Sequence, residues 1–206
     1  ALAGSSPEVL VRTVGRRVTC HPLAGSAPRF TDEQCDRESG LALEASAKDA
    51  REHAFVVDAI RSALEPFCAT LDVPTQPALT RTPQLWHLGT PISGELSDDR
   101  TSSLELAVAL HPTPAVCGTP TDLAYKEIDE LEGARGFYGG AIGWCDRSGD
   151  GEWMVAIRCA ETQSNSNTLV AYAGGGIVAE SDPESELQET ITKFGTMLSA
   201  LGTSYS

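Results

Sequence analysis

Residues 173–193, AGGGIVAESDPESELQETITK, constrain the possible folds of this chain more than any other stretch. Three consecutive glycines allow a tight turn after a strand, and Ser181 with Glu184 three residues later forms a capping box. Pro183 fits the first turn of a helix, where no backbone N–H is needed. The pattern predicts a strand, a glycine turn and a helix that begins near Asp182.

That helix would carry an apolar stripe and, beside it, a charged stripe. The apolar stripe consists of Leu187, Ile191, Phe194 and Leu198. The charged stripe consists of Glu186, Glu189 and Lys193. Two carboxylates spaced i, i+3 repel each other unless a cation lies between them. The alternative is a solvated acidic face that the helix dipole favours.

A second long helix is predicted over residues 41–67, and it also carries a pair of acids. Glu52 falls in the middle of its apolar face, and Asp49 lies one turn earlier on the same side. An isolated buried charge costs several kcal/mol, so such a carboxylate is protonated, paired or bound to a metal. A salt bridge to an inward arginine is the alternative reading.

The remaining segments predict an α+β fold with antiparallel sheets. Residues 7–13 and 17–23 form a hairpin around Gly15, and residues 24–40 form a polar loop. Three further strands, residues 137–145, 152–160 and 168–178, form an antiparallel meander. We see no linker long enough to divide the chain, so residues 1–206 are predicted to form one domain.

Composition excludes several classes of partner. Fifteen lysines and arginines against 29 acids give a formal charge of −14, which repels nucleic acid and anionic membranes. The six cysteines are scattered without a CxxC pair, which favours reduced thiols in a cytoplasm. No signal peptide and no apolar run of spanning length is visible. These features predict a soluble cytoplasmic protein.

Oxygen ligands dominate the candidate site. If the two acidic helices face each other, Asp49, Glu52, Glu186 and Glu189 converge without any His or Cys, which points to Mg²⁺. The glycine turn offers N–H groups for a carboxylate or phosphate, and Arg158, ending an apolar strand, indicates a carboxylate partner. Neither GxGxxG, GxxxxGK[ST] nor GxSxG occurs. The implied ligand is a small polyanion.

Eight motifs in sequence order carry a resemblance to a known family. They are SPEVLVR, PLAGSAPR, AKDAREHAFVV, TPQLWHLGTPI, LHPTPAVCGTP, RGFYGGAIGWCD, GDGEWMVAIRCA and AGGGIVAESDPESELQET. The chain resembles the C-terminal half of the chorismate-utilising enzymes, and among them isochorismate synthases most. This implies the α/β fold of anthranilate synthase component I and a Mg²⁺-dependent isomerisation in which water adds at C2 of chorismate while the C4 hydroxyl leaves.

The resemblance also implies roles for individual residues. Glu8 would be the general acid that protonates the departing hydroxyl, and His87 would line the pocket beside the ring, although a lone histidine in a strand is more often a core residue. Glu52 and Glu189 would hold Mg²⁺, with Asp49 and Glu186 beside them. The residues implied at the substrate are Gly25, Ser26, Ala115, Tyr138, Arg158, Gly174, Gly176 and Lys193.

One subtype signal and one departure from the family pattern bear on the alternatives. Ala115 favours isochorismate as the product, whereas salicylate synthases tend to carry threonine there, so salicylate synthase is the alternative. The general base of the family is a lysine on a strand before SPEVL, and none of Lys48, Lys126 and Lys193 has that context. We therefore expect the C-terminal portion of a longer, monomeric enzyme, inactive alone, or a non-catalytic half that needs an N-terminal partner segment. Siderophore and menaquinone pathways are both compatible.

Overall fold

The computed structural model describes residues 1–162 and 168–203, and antiparallel strands interleaved with helices confirm the α+β prediction. The strands are β1 (Leu2–Gly4), β2 (Val9–Val14), β3 (Arg17–His21), β4 (Leu23–Pro28), β5 (Cys68–Asp72), β6 (Ala78–Arg81), β7 (Leu85–Gly89), β8 (Ile92–Leu96), β9 (Ala141–Cys145), β10 (Gly151–Val155), β11 (Cys159–Thr162) and β12 (Leu169–Tyr172). The helices are α1 (Glu33–Glu44), α2 (Ala47–Leu64), α3 (Ser103–Leu110), α4 (Thr121–Glu132) and α5 (Pro183–Ala200).

A six-stranded antiparallel sheet in the order β5-β8-β3-β2-β10-β9 forms the centre of the fold. Its β2–β3 hairpin turns at Gly15, whose φ of 57° suits glycine, and confirms the predicted hairpin. Helices α2 and α3 cover one face of the sheet. Val11, Leu106 and Val155 are fully buried between these layers, so the main core lies there.

Two three-stranded sheets flank the centre, in the orders β4-β7-β6 and β1-β11-β12. The first contacts α1 and α2, and it places β4 and β7 beside the acidic face of α2. In the second sheet, β11 follows β10 along the chain and β12 contacts α5. No helix of the described residues is both long and apolar enough to cross a membrane.

The predicted polar loop and the predicted long helix are both wrong. Residues 24–40 contain most of β4 and the start of α1, whose N-cap Asp32 accepts hydrogen bonds from two backbone N–H groups. The helix predicted over residues 41–67 is interrupted after Glu44, because Ser46 caps a new helix by accepting from the Asp49 N–H. Glu52 is half-buried at the edge of the core face rather than in its middle, whereas the adjacent His53 is buried.

The predicted three-stranded meander is also wrong in part. β9 and β10 pair antiparallel as expected, but the strand predicted over residues 152–160 divides at Arg158. Arg158 has a φ of 50°, which leaves the extended region and directs β11 into a different sheet, where it pairs with β1 and β12. The connection between the strands predicted over residues 152–160 and 168–178 includes residues 163–167, which lie outside the described residues.

α5 begins where predicted, but its cap and its buried face differ from the prediction. Asp182 is the N-cap and accepts from the Ser185 N–H, so the Ser181 and Glu184 capping box does not form. Ser181 Oγ instead donates to Glu186 Oε1 at 2.6 Å. Leu187 of the expected apolar stripe is 52% exposed, whereas Glu186 is buried. The acidic side of α5 therefore faces the protein interior.

Candidate active site

A pocket of about 320 Å³ lies where the three sheets, α2 and α5 meet. Its walls come from segments that are far apart in sequence, and most of the predicted site residues line it. These are Glu8, Gly25, Ser26, Glu52, His87, Ala115, Tyr138, Arg158, Gly174, Gly176 and Lys193. Three predicted acids, Asp49, Glu186 and Glu189, do not line this pocket directly.

The glycine segment 174–176 runs between the acids of the two helices. A side chain on Gly176 would overlap the Glu52 carboxylate. A Cβ atom on Gly175 would lie 3.3 Å from Glu186 Oε2 and 3.5 Å from Glu189 Oε1. The absence of side chains here lets the backbone pass close to all three carboxylates, so α2 and α5 contribute acids to one region.

Two lysines neutralise part of this negative charge. Lys193 Nζ lies 2.6 Å from Glu189 Oε1 and also donates to the Gly174 carbonyl at 3.1 Å. Lys48 Nζ lies 2.5 Å from Glu186 Oε1. Asp49 touches Gly25, where a Cβ atom would come within 2.9 Å of the Asp49 Cβ. Lys193, which lies on the predicted charged stripe of α5, thus pairs with an acid of that stripe.

Burial and repulsion disfavour the charged form of Glu52. Removal from water and, to a smaller extent, the nearby Glu189 carboxylate raise its pKa to about 7, although Lys193 and Lys48 act in the opposite direction. The Glu52 and Glu189 side chains are thus close enough for their charges to interact. A cation between them would relieve this repulsion.

The carboxylates of α2 and α5 suit a hard cation, although the described residues do not form a complete coordination shell. In residues 1–162 and 168–203, no group of three or more His, Cys, Asp or Glu side chains is arranged to hold a metal ion. The carboxylates nevertheless offer only oxygen ligands, which Mg²⁺ prefers. Glu186 Oε2 is buried and lacks a hydrogen-bond partner among the described atoms, so it has a free coordination position.

Glu8 is held as a neutral acid at the pocket wall. It is 3% exposed, and burial raises its pKa to about 8 despite the opposing charges of Lys193 and Arg158. It lies just before β2, and its carbonyl accepts from the Val155 N–H, which fixes the backbone at this point. A carboxyl that keeps its proton at neutral pH can donate it to a leaving group.

His87 is neutral and presents an acceptor to the pocket. Its Nδ1 lies 3.3 Å from the Gly25 carbonyl and 3.2 Å from Ser26 Oγ. A carbonyl only accepts, so Nδ1 carries the proton and Nε2 is unprotonated. Nε2 is buried without a partner in the described residues, and burial lowers the pKa of His87 to about 4. His87 is therefore free to accept a hydrogen bond from a ligand.

Arg158 places a buried positive charge in the pocket. It is 6% exposed, and no carboxylate of the described residues lies within ion-pair distance of its guanidinium. Burial lowers its pKa, while the nearby Tyr138, Glu189 and Glu8 act in the opposite direction. A buried guanidinium without a counter-ion is suited to bind an anionic ligand.

Sequence reasoning missed Arg135 and Glu132, which also line this pocket. They form an ion pair between residues i and i+3 at the end of α4, with Nη2 of Arg135 2.7 Å from Glu132 Oε1. The available signal was the spacing E-x-x-R, whose arginine is the first residue of the RGFYGG motif. Their contacts connect several walls of the pocket.

Comparisons with known proteins agree with this geometry. A family described as "Chorismate binding enzyme" matches residues 1–202. The isochorismate synthase DhbC of Bacillus subtilis is 56% identical over 202 residues, which cover 98% of this chain and 50% of that protein. The chain thus spans about half the length of the curated relatives that it matches.

Solved structures show the same fold. The crystal structure of DhbC from Bacillus anthracis superposes with a TM-score of 0.94 at 54% identity, and covers 98% of this chain and 54% of that one. MenF of Escherichia coli, the menaquinone-specific isochorismate synthase, gives a TM-score of 0.81 at 34% identity over 93% of this chain and 44% of its own. The chain therefore belongs to the family of chorismate-binding enzymes.

Proposed function

We propose that this chain binds chorismate and forms the larger part of an isochorismate synthase active site. The observation that carries the proposal is the buried, unpaired Arg158 in one pocket with the neutral acid Glu8 and with Glu52. Chorismate bears two carboxylates and a hydroxyl at C4. The pocket thus offers a cation for one carboxylate, a proton for the hydroxyl and acids that can hold a metal beside the other carboxylate.

In the proposed arrangement, Glu52 and Glu189 hold Mg²⁺, with Glu186 and Asp49 beside them. The metal, when bound, would neutralise and orient the ring carboxylate. Arg158 and the Tyr138 hydroxyl bind the second carboxylate, close to Gly174, which has no side chain to occupy the space. Glu8 delivers its proton to the C4 hydroxyl as that group leaves, and Nε2 of His87 accepts a hydrogen bond beside the ring.

Activation of the attacking water is the step that the described residues support least. Lys193 and Lys48 are each engaged with a glutamate, and Lys126 lies on α4 outside the pocket lining. A paired ammonium is a poor general base. We infer that the chain alone binds chorismate but isomerises it slowly or not at all. A cytoplasmic location and a monomeric state remain predictions.

Calorimetric titration of the chain with chorismate, with and without Mg²⁺, tests the proposal. We expect binding that Mg²⁺ strengthens and that Arg158→Gln weakens at least tenfold, because that change removes the charge facing the second carboxylate. Arg37→Gln, on an exposed part of α1, is the matched control and leaves the affinity unchanged. Equal affinities in the parent and in Arg158→Gln would rule out the proposed substrate site.

Product analysis then identifies the reaction. We expect any turnover to give isochorismate, because Ala115 leaves no hydroxyl at the position where salicylate synthases tend to carry threonine. Salicylate together with pyruvate would instead favour the alternative enzyme. The assay uses chromatography of quenched reactions, with Glu8→Gln as the control that lacks the proposed general acid.

A further inference from the structure

Arg135 makes polar contacts with two separate parts of the pocket wall. Its Nε and Nη2 atoms each donate to a carboxylate oxygen of Glu132 at 2.7 Å. Its Nη1 donates to the Val116 carbonyl, also at 2.7 Å. One planar side chain therefore ties the end of α4 to the loop that follows α3.

The same guanidinium also lies over the aromatic ring of Tyr138. Its Cζ atom is 5.6 Å from the ring centroid, within the range of a cation–π contact. Tyr138 stacks on Tyr172 with the ring centroids 5.4 Å apart, and its hydroxyl would lie 3.0 Å from a Cβ atom on Gly174. Arg135 thus contacts a residue whose hydroxyl lies against Gly174, the first residue of the glycine segment.

The loop after α3, which carries Ala115 and Val116, makes few other hydrogen bonds among the described residues. The backbone N–H groups of Val116 and Cys117 both donate to the Thr113 carbonyl, which closes the loop on itself. The bond from Arg135 to the Val116 carbonyl ties this loop to the segment carrying Tyr138, in addition to the packing of Ala115 and Val116 on the main core and of Val116 near Gly139. Arg135 therefore contributes a directional contact to the position of Ala115 relative to Tyr138.

We propose that Arg135 is a positioning residue that clamps the Ala115–Val116 wall and Tyr138 at a fixed separation and so shapes the part of the pocket that receives the second carboxylate of chorismate. Three of its five N–H groups donate to Glu132 and Val116, so the guanidinium is fixed against these walls and acts through them. A lysine cannot reproduce the arrangement, because one ammonium group lacks the planar fork that joins both partners. The identity of the ligand rests on the proposed function, whereas the clamp does not.

Hydrogen–deuterium exchange tests the clamp without any ligand. In Arg135→Lys we expect exchange to accelerate at least threefold in residues 115–118 and 138–140. Arg100→Lys is the matched control, because Arg100 forms a comparable fork with Asp98 on the surface, away from the pocket. Glu132→Gln keeps the Val116 bond and should produce a smaller acceleration, which provides a reading if the lysine variant folds poorly. Unchanged exchange in both pocket variants would overturn the proposal.

Ligand affinity then separates positioning from a general structural role. We expect Arg135→Lys to weaken chorismate binding roughly tenfold and to leave the affinity for benzoate, which has a ring and one carboxylate, within twofold of the parent. An equal loss for both ligands would show that the residue only supports the fold and would refute the clamp. If the parent chain binds no chorismate, the proposed function fails while the exchange experiment still decides the role of Arg135.

Discussion

Individual side chains in this pocket have their protonation set by burial. Glu8 has almost no contact with water, and its raised pKa of about 8 persists although Lys193 and Arg158 are nearby. Desolvation therefore outweighs the attraction of two cations. His87 shows the opposite sign of the same effect, since burial keeps the imidazole neutral. The pocket thus contains both a neutral acid and a neutral base.

The raised pKa of Glu8 predicts a specific pH dependence of stability. Between pH 4.5 and about 8 the folded state binds a proton that the unfolded state has lost, so this group destabilises the fold progressively as the pH rises. Glu8→Gln has no proton to lose. We expect the free energy of unfolding of Glu8→Gln, relative to the parent, to increase by about 3 kcal/mol from pH 5 to pH 8.

Urea denaturation at several pH values measures this difference. The exposed Glu95→Gln serves as the control, and its profile should run parallel to that of the parent. Parallel profiles for Glu8→Gln and the parent would contradict the assigned protonation state.

At the scale of secondary structure, elements with regular local patterns could be predicted from the sequence. The β2–β3 hairpin and the start of α5 follow from alternation, glycine and helix-start signals. α1 was missed because only Gly40 and Leu43 of this helix are buried, so its apolar period is weak. The break at Arg158 was missed because its positive φ is imposed by the two sheets on either side of it.

The same distinction between local pattern and tertiary contact applies to the candidate site. The two acid pairs could be predicted because helical periodicity relates residues within one element. The Arg135 contacts could not, because Val116 lies 19 residues earlier and meets Arg135 only in the folded chain.

Glycines in the acidic region and in α5 are expected to respond in opposite directions to substitution by alanine. Gly195 lies inside α5 with open space around its Cα atom, so Gly195→Ala should stabilise the protein by about 0.5 to 1 kcal/mol through helix propensity. Gly176→Ala would drive a methyl group into the Glu52 carboxylate and should destabilise by more than 1 kcal/mol.

Thermal unfolding of both variants checks this pair. A stabilising Gly176→Ala would show that the glycine segment does not lie against Glu52. A destabilising Gly195→Ala would show that neighbouring atoms leave no room for a methyl group at this position of α5.

Over the whole molecule, acids outnumber basic residues, and the region beside the pocket shows the same imbalance. The chain carries a formal charge of −14, and Glu52, Glu186 and Glu189 lie along the glycine segment, where Lys48 pairs with Glu186 and Lys193 with Glu189. The fold holds these groups together from segments that are far apart in sequence. Their mutual repulsion therefore lowers the free energy of unfolding.

A divalent cation that relieves this repulsion should stabilise the whole fold. At a Mg²⁺ concentration tenfold above the dissociation constant, binding to the folded state alone contributes about 1.4 kcal/mol, which raises the melting temperature of a chain of this size by about 4 °C. We expect this rise in the parent and its loss in Glu189→Gln. The rise should be larger at pH 8 than at pH 6, because protons compete for Glu52, whose pKa is about 7.

Differential scanning calorimetry with two controls separates site binding from screening. Glu184→Gln removes an exposed carboxylate from the first turn of the same helix and should retain the Mg²⁺ effect. NaCl at matched ionic strength tests general screening of the net charge, which acts on every surface acid alike. If NaCl reproduces the rise, or if Glu189→Gln retains it, the acids of α2 and α5 do not form a metal site. The stabilisation by Mg²⁺ would then report only the excess negative charge of the chain.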